Sequence, residues 1–279
     1  MNEALTDKYS SLQNYLSTLG SAAVAFSGGV DSTFLLRVAA DTLGENAVAV
    51  TIVSPLMPQA ECSESADFCR QNGIKQIVIE FDALNEPVIV SNPPDRCYHC
   101  KKAIFRRIIE AAREKGITNV CDGSNIDDVG DYRPGMKALS ELGILSPLRE
   151  CGITKEEIRI MSKELGLPSW NKPSAACLAS RIPYNEQINQ KKLLMIDRAE
   201  QILYNLGIRG SRVRLHGENL ARIECDIERY SELILTNRDM ITDELQKLGF
   251  AYITLDLRGY RTGSLNETLV GSDIKPCAE

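Results

Sequence analysis

A chain of 279 residues, 43% hydrophobic and 25% charged, has the make-up of a soluble globular protein with room for one large domain or two modest ones. No apolar run reaches membrane-spanning length, and a net charge of −6 argues against a non-specific nucleic-acid binder. The N-terminal "MNEALTDKYSSLQNYLSTLG" has neither a secretion-signal nor a transit-peptide layout, so a cytoplasmic location is expected. Nine cysteines in that setting point to buried thiols, metal or catalysis rather than a disulfide framework.

In chain order, "AAVAF" (Ala22–Phe26) reads as a short buried strand. It turns at Ser27-Gly28-Gly29 into a helix with Phe34, Leu35, Val38 and Leu43 on its apolar face, stopped by Gly44. "AVAVTIV" (Ala47–Val53) is a second strand, "QAECSESADFCRQNG" a helix ending at Gly73, and "KQIVIEF" (Lys75–Phe81) a third strand. "DRCYHC" precedes a helix expected from Lys101 to Lys115, with Ile104, Ile108 and Ala112 on one stripe, and "TNVCDG" is a fourth strand. Thr154-x-x-Glu157 is a capping box opening a helix that stops near Gly166. Strands alternating with helices predict an α/β fold with a doubly wound parallel sheet. Residues 169–184 are Pro-rich and read as a linker, which sets the expected boundaries at 1–168 and 185–279. The last part reads as a smaller α+β domain: a helix from about Asn185 to Leu206, a hairpin "SRVRLH–GEN–LARIECDI", a helix through Lys247 and a strand "AYITLDL". The tail "GSDIKPCAE" is expected to be mobile.

Ser27, Gly28 and Gly29 place backbone N–H groups and a helix N-terminus around a concavity suited to phosphate. The motif is neither Walker A nor G-x-G-x-x-G. Asp31 would repel a bare anion and makes sense if Mg²⁺ bridges it to the phosphates; Ser32 completes "SGGVDS". This string after an apolar strand resembles the PP-loop of ATP pyrophosphatases, which hold the pyrophosphate that leaves as ATP becomes AMP. "DGSNIDDVGDYRPGMKA" falls at the carboxyl edge of the sheet, where Arg133 could meet phosphate. There Asp127 and Asp128 could hold Mg²⁺ or cap a polar loop.

"KPSAACLASRIPY" (Lys172–Tyr184) and "LRGYRTGSLNE" (Leu257–Glu267) narrow the resemblance. Over nearly its whole length the chain resembles the LarE family of PP-loop ATP-dependent sulfur transferases of nickel-pincer nucleotide biosynthesis. The resemblance implies ATP-driven adenylation of a pyridinium dicarboxylate mononucleotide, followed by displacement of AMP by sulfur. It implies a small-molecule nucleotide substrate, no nucleic-acid or membrane partner and a homo-oligomer, and leaves the sulfide donor unidentified. Cys177 occupies the position of the family's essential cysteine. In one branch that residue gives up its sulfur and becomes dehydroalanine. In another, three cysteines hold a 4Fe–4S cluster, which here would be Cys97, Cys100 and Cys177. A zinc site completed by His99 or Cys121, and a reversible disulfide, are the competing uses of Cys97-x-x-Cys100.

Arg212 and Arg214 share one strand face, and Arg222, Glu224 and Asp226 share a face of the partner strand. Such alternation commonly marks a solvated hairpin face. The family's use of arginines here favours a substrate phosphate and ribose site, with Ser180 and Arg181 beside Cys177 in the same pocket. Cys62, Cys69, Cys121 and Cys225 read as buried structural thiols, the last alternating with Ile223 and Ile227, and Trp170 reads as packing. A tRNA thiolase with a PP-loop and cysteines is the rival reading, opposed by the acidic balance and the specific C-terminal strings.

Overall fold

The computed structural model describes residues 2–128, 134–173, 176–261 and 263–269. Arg133, the Thr262 position of "GYRTGSLNE" and the C-terminal tail with Cys277 therefore lie outside the described residues. The chain divides into two compact units, 1–81 with 97–175, and 82–96 with 176–279. The division is not a single cut, because the segment 82–96 groups with the C-terminal part.

Along the chain come α1 (Glu3–Leu19), β1 (Ala22–Ala25), α2 (Val30–Leu43), β2 (Ala47–Val53), α3 (Gln59–Gln71) and β3 (Lys75–Glu80). Next are α4 (Pro87–Val90), α5 (Arg96–Glu114), β4 (Val120–Cys121), α6 (Pro134–Glu141), α7 (Pro147–Glu150) and α8 (Lys155–Glu164). Then follow α9 (Gln190–Asn205), β5 (Arg212–His216), β6 (Leu220–Glu224), α10 (Arg238–Lys247) and β7 (Tyr252–Leu255).

The first unit carries the expected parallel sheet, in strand order β3-β2-β1-β4. β1 and the first six residues of β2 are almost wholly buried, which is why they read as unbroken apolar runs: helices cover both faces of such a sheet. Phe34, Leu35 and Val38 of α2 pack with Leu12 and Leu16 of α1 and Ile158 and Met161 of α8 in one core. Strand order reverses between β1 and β4, so the loops leaving those two strands flank a topological switch point, where such sheets bind ligands.

Two helix starts differ from expectation. α5 begins at Arg96, so Cys97 and Cys100 lie inside its first turns and not ahead of it. The polar string "RCYHCKK" hid this, because the apolar stripe begins only at Ile104. α9 begins at Gln190, where the Asn189 side chain accepts the Lys192 N–H. The capping box of α8 is formed as expected: Thr154 Oγ1 accepts the Glu157 N–H, and Glu157 accepts the Thr154 N–H.

In the second unit β5 and β6 are antiparallel and β7 joins β6 in parallel. Val213, Leu215, Ala221 and Ile223 form one face with Leu193, Ile196 and Ala199 of α9 among the buried core residues. The opposite face is not the solvated surface that charge alternation commonly marks: Glu224 is 0% exposed, Arg214 6% and Arg212 9%. One face of the hairpin is packed with hydrocarbon, and the other carries the buried Arg214–Glu224 ion pair with the half-buried Arg222 beside it. Cys225 is buried as expected, but Ile227 is 61% exposed, because β6 ends at Glu224 and a short 3₁₀ turn redirects the chain. No helix among the described residues is long and apolar enough to cross a membrane.

Candidate active site

The loop after β1 brings Ser27, Gly28, Gly29, Asp31 and Ser32 together. Gly28 has φ +72°, a conformation that favours glycine, and Gly29 is the N-cap of α2. The Ser32 hydroxyl lies 3.1 Å from the Ser27 hydroxyl, accepts the Ser27 N–H and is 3.3 Å from the Gly29 carbonyl, so the loop is braced across its own turn. Across the switch point, a Cβ on Gly123 would stand 3.0 Å from the Ser32 nitrogen, so only glycine fits against this loop without movement. Behind it, the buried Asp122 carboxylate accepts hydroxyls from Ser124 and from Ser146, the latter at 2.6 Å.

Asp31 is the charged centre of the loop. Lys155 Nζ donates to its Oδ2 at 2.5 Å, whereas Oδ1 is buried with no hydrogen-bond partner among the described residues. Burial pushes the carboxyl above its ordinary range, and Lys155 opposes the rise. A buried carboxylate oxygen without a partner is costly, and a divalent cation is a chemically apt partner for it; the residues fit Mg²⁺. Asp127 and Asp128 act as caps: Asp127 Oδ2 accepts the Lys155 N–H at 2.7 Å and Asp128 Oδ2 the Asn125 N–H at 3.0 Å. Lys172 Nζ reaches the Gly28 carbonyl at 3.2 Å and Glu64 at 2.7 Å.

Sequence reasoning missed both lysines. Lys155 was visible only as the residue after a helix cap, and Lys172 only as part of a string. Trp170 does pack, with Lys163 over its ring at 4.7 Å.

Cys97 and Cys100 are one helical turn apart and half-buried at the start of α5. The turn is pinned: Tyr98 donates to Glu141 at 2.7 Å, and Lys102 Nζ donates to both Tyr98 and Glu141 at 2.6 Å. Among the described residues no group of three or more His, Cys, Asp or Glu side chains is gathered as a metal site. Cys97 and Cys100 belong to the first unit and Cys177 to the second. In kind, three thiols suit iron–sulfur ligation.

Within the second unit, Cys177 is the N-cap of the 3₁₀ turn Leu178–Arg181. Arg181 Nη1 donates to the carbonyls of Ala176 at 2.7 Å and Cys177 at 3.3 Å, and to Ser180 Oγ at 2.9 Å. Ser180 Oγ donates to the Cys177 carbonyl at 2.8 Å. The other edge of Arg181 is bidentate to Glu200, at 2.9 Å twice. Arg214 donates to Glu224 at 3.1 and 2.7 Å and to the Ser180 carbonyl at 2.8 Å. Glu224 Oε1 also accepts from Arg222 and Ser264. Arg212 donates to the Ser211 carbonyl and sits 5.4 Å over the Tyr260 ring. Burial, with Arg181 next to it, pulls the Arg212 guanidinium below its ordinary range. Ser180, Arg181 and Arg214 thus bond to one another's main chain or side chains at the Cys177 turn, with Arg212 nearby and Glu200 and Glu224 offsetting part of the arginines' charge. Glu200 and Glu224, which orient these arginines, carry no local motif that would single them out.

No family model matches the chain. It is 42% identical over 269 residues to an uncharacterized protein of Synechocystis sp., covering 95% of this chain and 99% of that one. It is 37% identical over 271 residues to the pyridinium-3,5-bisthiocarboxylic acid mononucleotide synthase of Lactiplantibacillus plantarum, covering 97% and 98%. A more distant likeness, 27% over 158 residues, joins 52% of the chain to 39% of the argininosuccinate synthase of Natronomonas pharaonis. The braced SGGVDS loop at the switch point of a parallel sheet agrees with all of this, and the chain belongs to the LarE family of PP-loop, ATP-dependent sulfur transferases.

Proposed function

We propose that this protein uses ATP to adenylate a carboxylate of pyridinium-3,5-biscarboxylic acid mononucleotide and replaces the adenylate with sulfur. The product would be the thiocarboxylate required for the nickel-pincer cofactor. The substrate carboxylate attacks the α-phosphorus and pyrophosphate leaves. Sulfur then attacks the acyl carbon, and AMP departs with the electron pair of the C–O bond. The observation that carries the reading is the cluster of buried arginines bonded to the backbone of the Cys177 turn, groups whose chemistry would suit an anionic substrate. In this proposal Arg212, Arg214, Arg181 and Ser180 bind the mononucleotide, and the region 185–279 carries substrate binding and oligomerisation.

Ser27, Gly28, Gly29, Ser32 and Arg133 would hold the pyrophosphate, with Mg²⁺ on Asp31 neutralising its charge. Cys97, Cys100 and Cys177 would hold a 4Fe–4S cluster, which when bound would supply an extra sulfide as nucleophile. The alternative keeps the same adenylation but makes Cys177 itself the donor. Its thiolate forms a thioester, elimination breaks its Cβ–S bond, and the sulfur stays on the product while dehydroalanine remains. Incubation with ATP and the carboxylated mononucleotide should release pyrophosphate and yield the thiocarboxylate, seen by mass. Pyrophosphate release with tRNA instead, and none with the mononucleotide, would overturn the reading.

A further inference from the structure

Lys155 and Lys172 both reach the phosphate loop, and they do so differently. Lys155 is tied to the Asp31 carboxylate, whereas Lys172 Nζ donates to the Gly28 carbonyl of the loop itself at 3.2 Å and to Glu64 Oε2 at 2.7 Å. The Glu64 side chain is 58% exposed, so that ion pair is screened and weak. The Lys172 side chain is half-buried, and Gly28 is the loop residue with the left-handed backbone. An ammonium on a flexible stem is thus held beside the loop by two acceptors that an incoming anion can replace.

The main chain that carries this lysine is fixed. Arg159 of α8 donates Nη1 to the Trp170 carbonyl and Nη2 to the Lys172 carbonyl, both at 2.8 Å. The Lys172 N–H donates to the Ser169 carbonyl at 3.0 Å. A planar guanidinium bonded to two carbonyls sets direction as well as distance. All of these residues belong to the first unit. Lys172 therefore combines an anchored backbone with a tip whose partners are easily exchanged.

We propose that Lys172 is a catalytic residue for adenylation, donating to the phosphate oxygens on which charge builds as pyrophosphate leaves, and that Arg159 positions it. The inference rests on the reading in which this loop receives the pyrophosphate of ATP. In that step a carboxylate oxygen of the substrate bonds to the α-phosphorus. The bond from the α-phosphorus to the bridging oxygen breaks, and its electron pair stays with pyrophosphate. Lys172 gives up the Gly28 carbonyl and Glu64 and donates N–H bonds to the departing group, keeping its proton and its charge. The leaving oxygen carries more charge in the transition state than in bound ATP, so this contact counts more towards rate than towards binding.

The test is pyrophosphate release by the full-length protein with ATP and the carboxylated mononucleotide. Lys172→Met should lower kcat about a hundredfold, the weight of one donor aimed at developing charge, while the KM for ATP moves far less. Lys172→Arg should recover part of the rate. Arg159→Met should lower kcat in the wild-type background and add nothing in Lys172→Met, because it acts only through the lysine. If Arg159→Met does not melt cooperatively, Arg159→Lys, which keeps a donor and loses the fork, takes its place. A second readout needs no turnover: Mg²⁺ with pyrophosphate should shield Lys172 from an amine-acylating reagent, followed by peptide mass spectrometry against the exposed Lys247. A wild-type kcat in Lys172→Met, a loss confined to the KM for ATP, or an unshielded Lys172 each overturns the catalytic assignment. Equal losses from the Arg159 change in both backgrounds overturn the positioning one. Asp31→Asn separates the two levels: wild-type release there removes the underlying reading, whereas an inactive Asp31→Asn beside a fully active Lys172→Met removes the lysine alone.

Discussion

Lys155 holds one oxygen of Asp31 at 2.5 Å while the other oxygen stays buried with no hydrogen-bond partner among the described residues. The carboxylate is thus kept charged from one side and left open on the other, in a loop whose remaining groups are backbone N–H and hydroxyl. Burial lifts its pKa, so the folded state holds this proton more tightly than the unfolded chain. Stability then falls as pH rises from the ordinary aspartate range through the raised value, and at neutral pH ionised Asp31 is a net cost. Asp31→Asn should raise the unfolding midpoint of the ATP-free protein by about 2 °C at pH 7 while abolishing pyrophosphate release. Melting curves and a pyrophosphate assay on one preparation check both halves.

Lys155→Met removes the charge that opposes burial at Asp31. The carboxyl must then rise further, and the acid limb of pyrophosphate release should move to higher pH. At neutral pH the rate should fall about tenfold, the usual weight of a charge-assisted contact. A rate profile between about pH 5 and 9 reads the shift. An unchanged limb would detach Lys155 from the carboxylate's ionisation.

Arg212 and Arg214 should part company when each is replaced by alanine. Arg212 donates to the main-chain carbonyls of Gly210 and Ser211, so its loss should leave the fold intact and weaken mononucleotide binding about tenfold or more, with ATP binding unaffected. Arg214 is paired with fully buried Glu224, and its loss strips two hydrogen bonds from a buried charge. Arg214→Ala should cost about 3 kcal/mol in denaturant unfolding in addition to the binding defect. Equal loss of ATP affinity in Arg212→Ala would move that arginine to the nucleotide site.

The two sulfur sources make opposite predictions for single Cys→Ala changes at Cys97, Cys100 and Cys177. A cluster held by all three loses iron in each variant, with adenylation surviving, and supports repeated turnover on added sulfide. A sacrificial Cys177 leaves the other two dispensable, and the chain loses about 34 Da after one turnover. Intact mass read beside iron content separates them.

Burial also sorts the remaining thiols. It pushes Cys69 and Cys225 up to about 11 and Cys121 up to about 12, so their thiolate fraction at neutral pH is negligible. Brief alkylation at pH 7.5 should spare these three and modify the half-buried Cys97, Cys100 and Cys177 in metal-free protein. Labelling of Cys121 before Cys97 would contradict the burial.

What the sequence discloses follows from how local the cause is. β2 and α2 were legible because an apolar run and an apolar face, each ended by glycine or polar residues, need no information from elsewhere. SGGVDS was legible because its chemistry sits in consecutive residues. The early start of α5 was not, since "RCYHCKK" offers no stripe and its turn is pinned by Glu141 on another helix. Lys155 could not be paired with Asp31 from spacing, because only the packing of α8 beside α2 brings the first turns of the two helices together. The β5–β6 hairpin misled in a specific way. Alternating charge normally reports water on one side, and only the ion pairs that Arg214 and Arg222 both make with Glu224 show why burial is tolerable.

The grouping of residues 82–96 with 176–279 bears on synthesis as well as structure. The ribosome delivers this strap after the first half of the first unit and long before residues 179–188, with which Val90, Asn92 and Arg96 share hydrogen bonds. Asn92 and Arg96 emerge with no carbonyls to meet, and their buried polar groups stay hydrated until Ala179, Ile182 and Pro183 arrive. The second unit therefore cannot close as a stretch of newly made chain closes; it closes around a piece already waiting. A fragment made from residue 185 onward would lack that piece and the 3₁₀ turn together, and could not form these bonds.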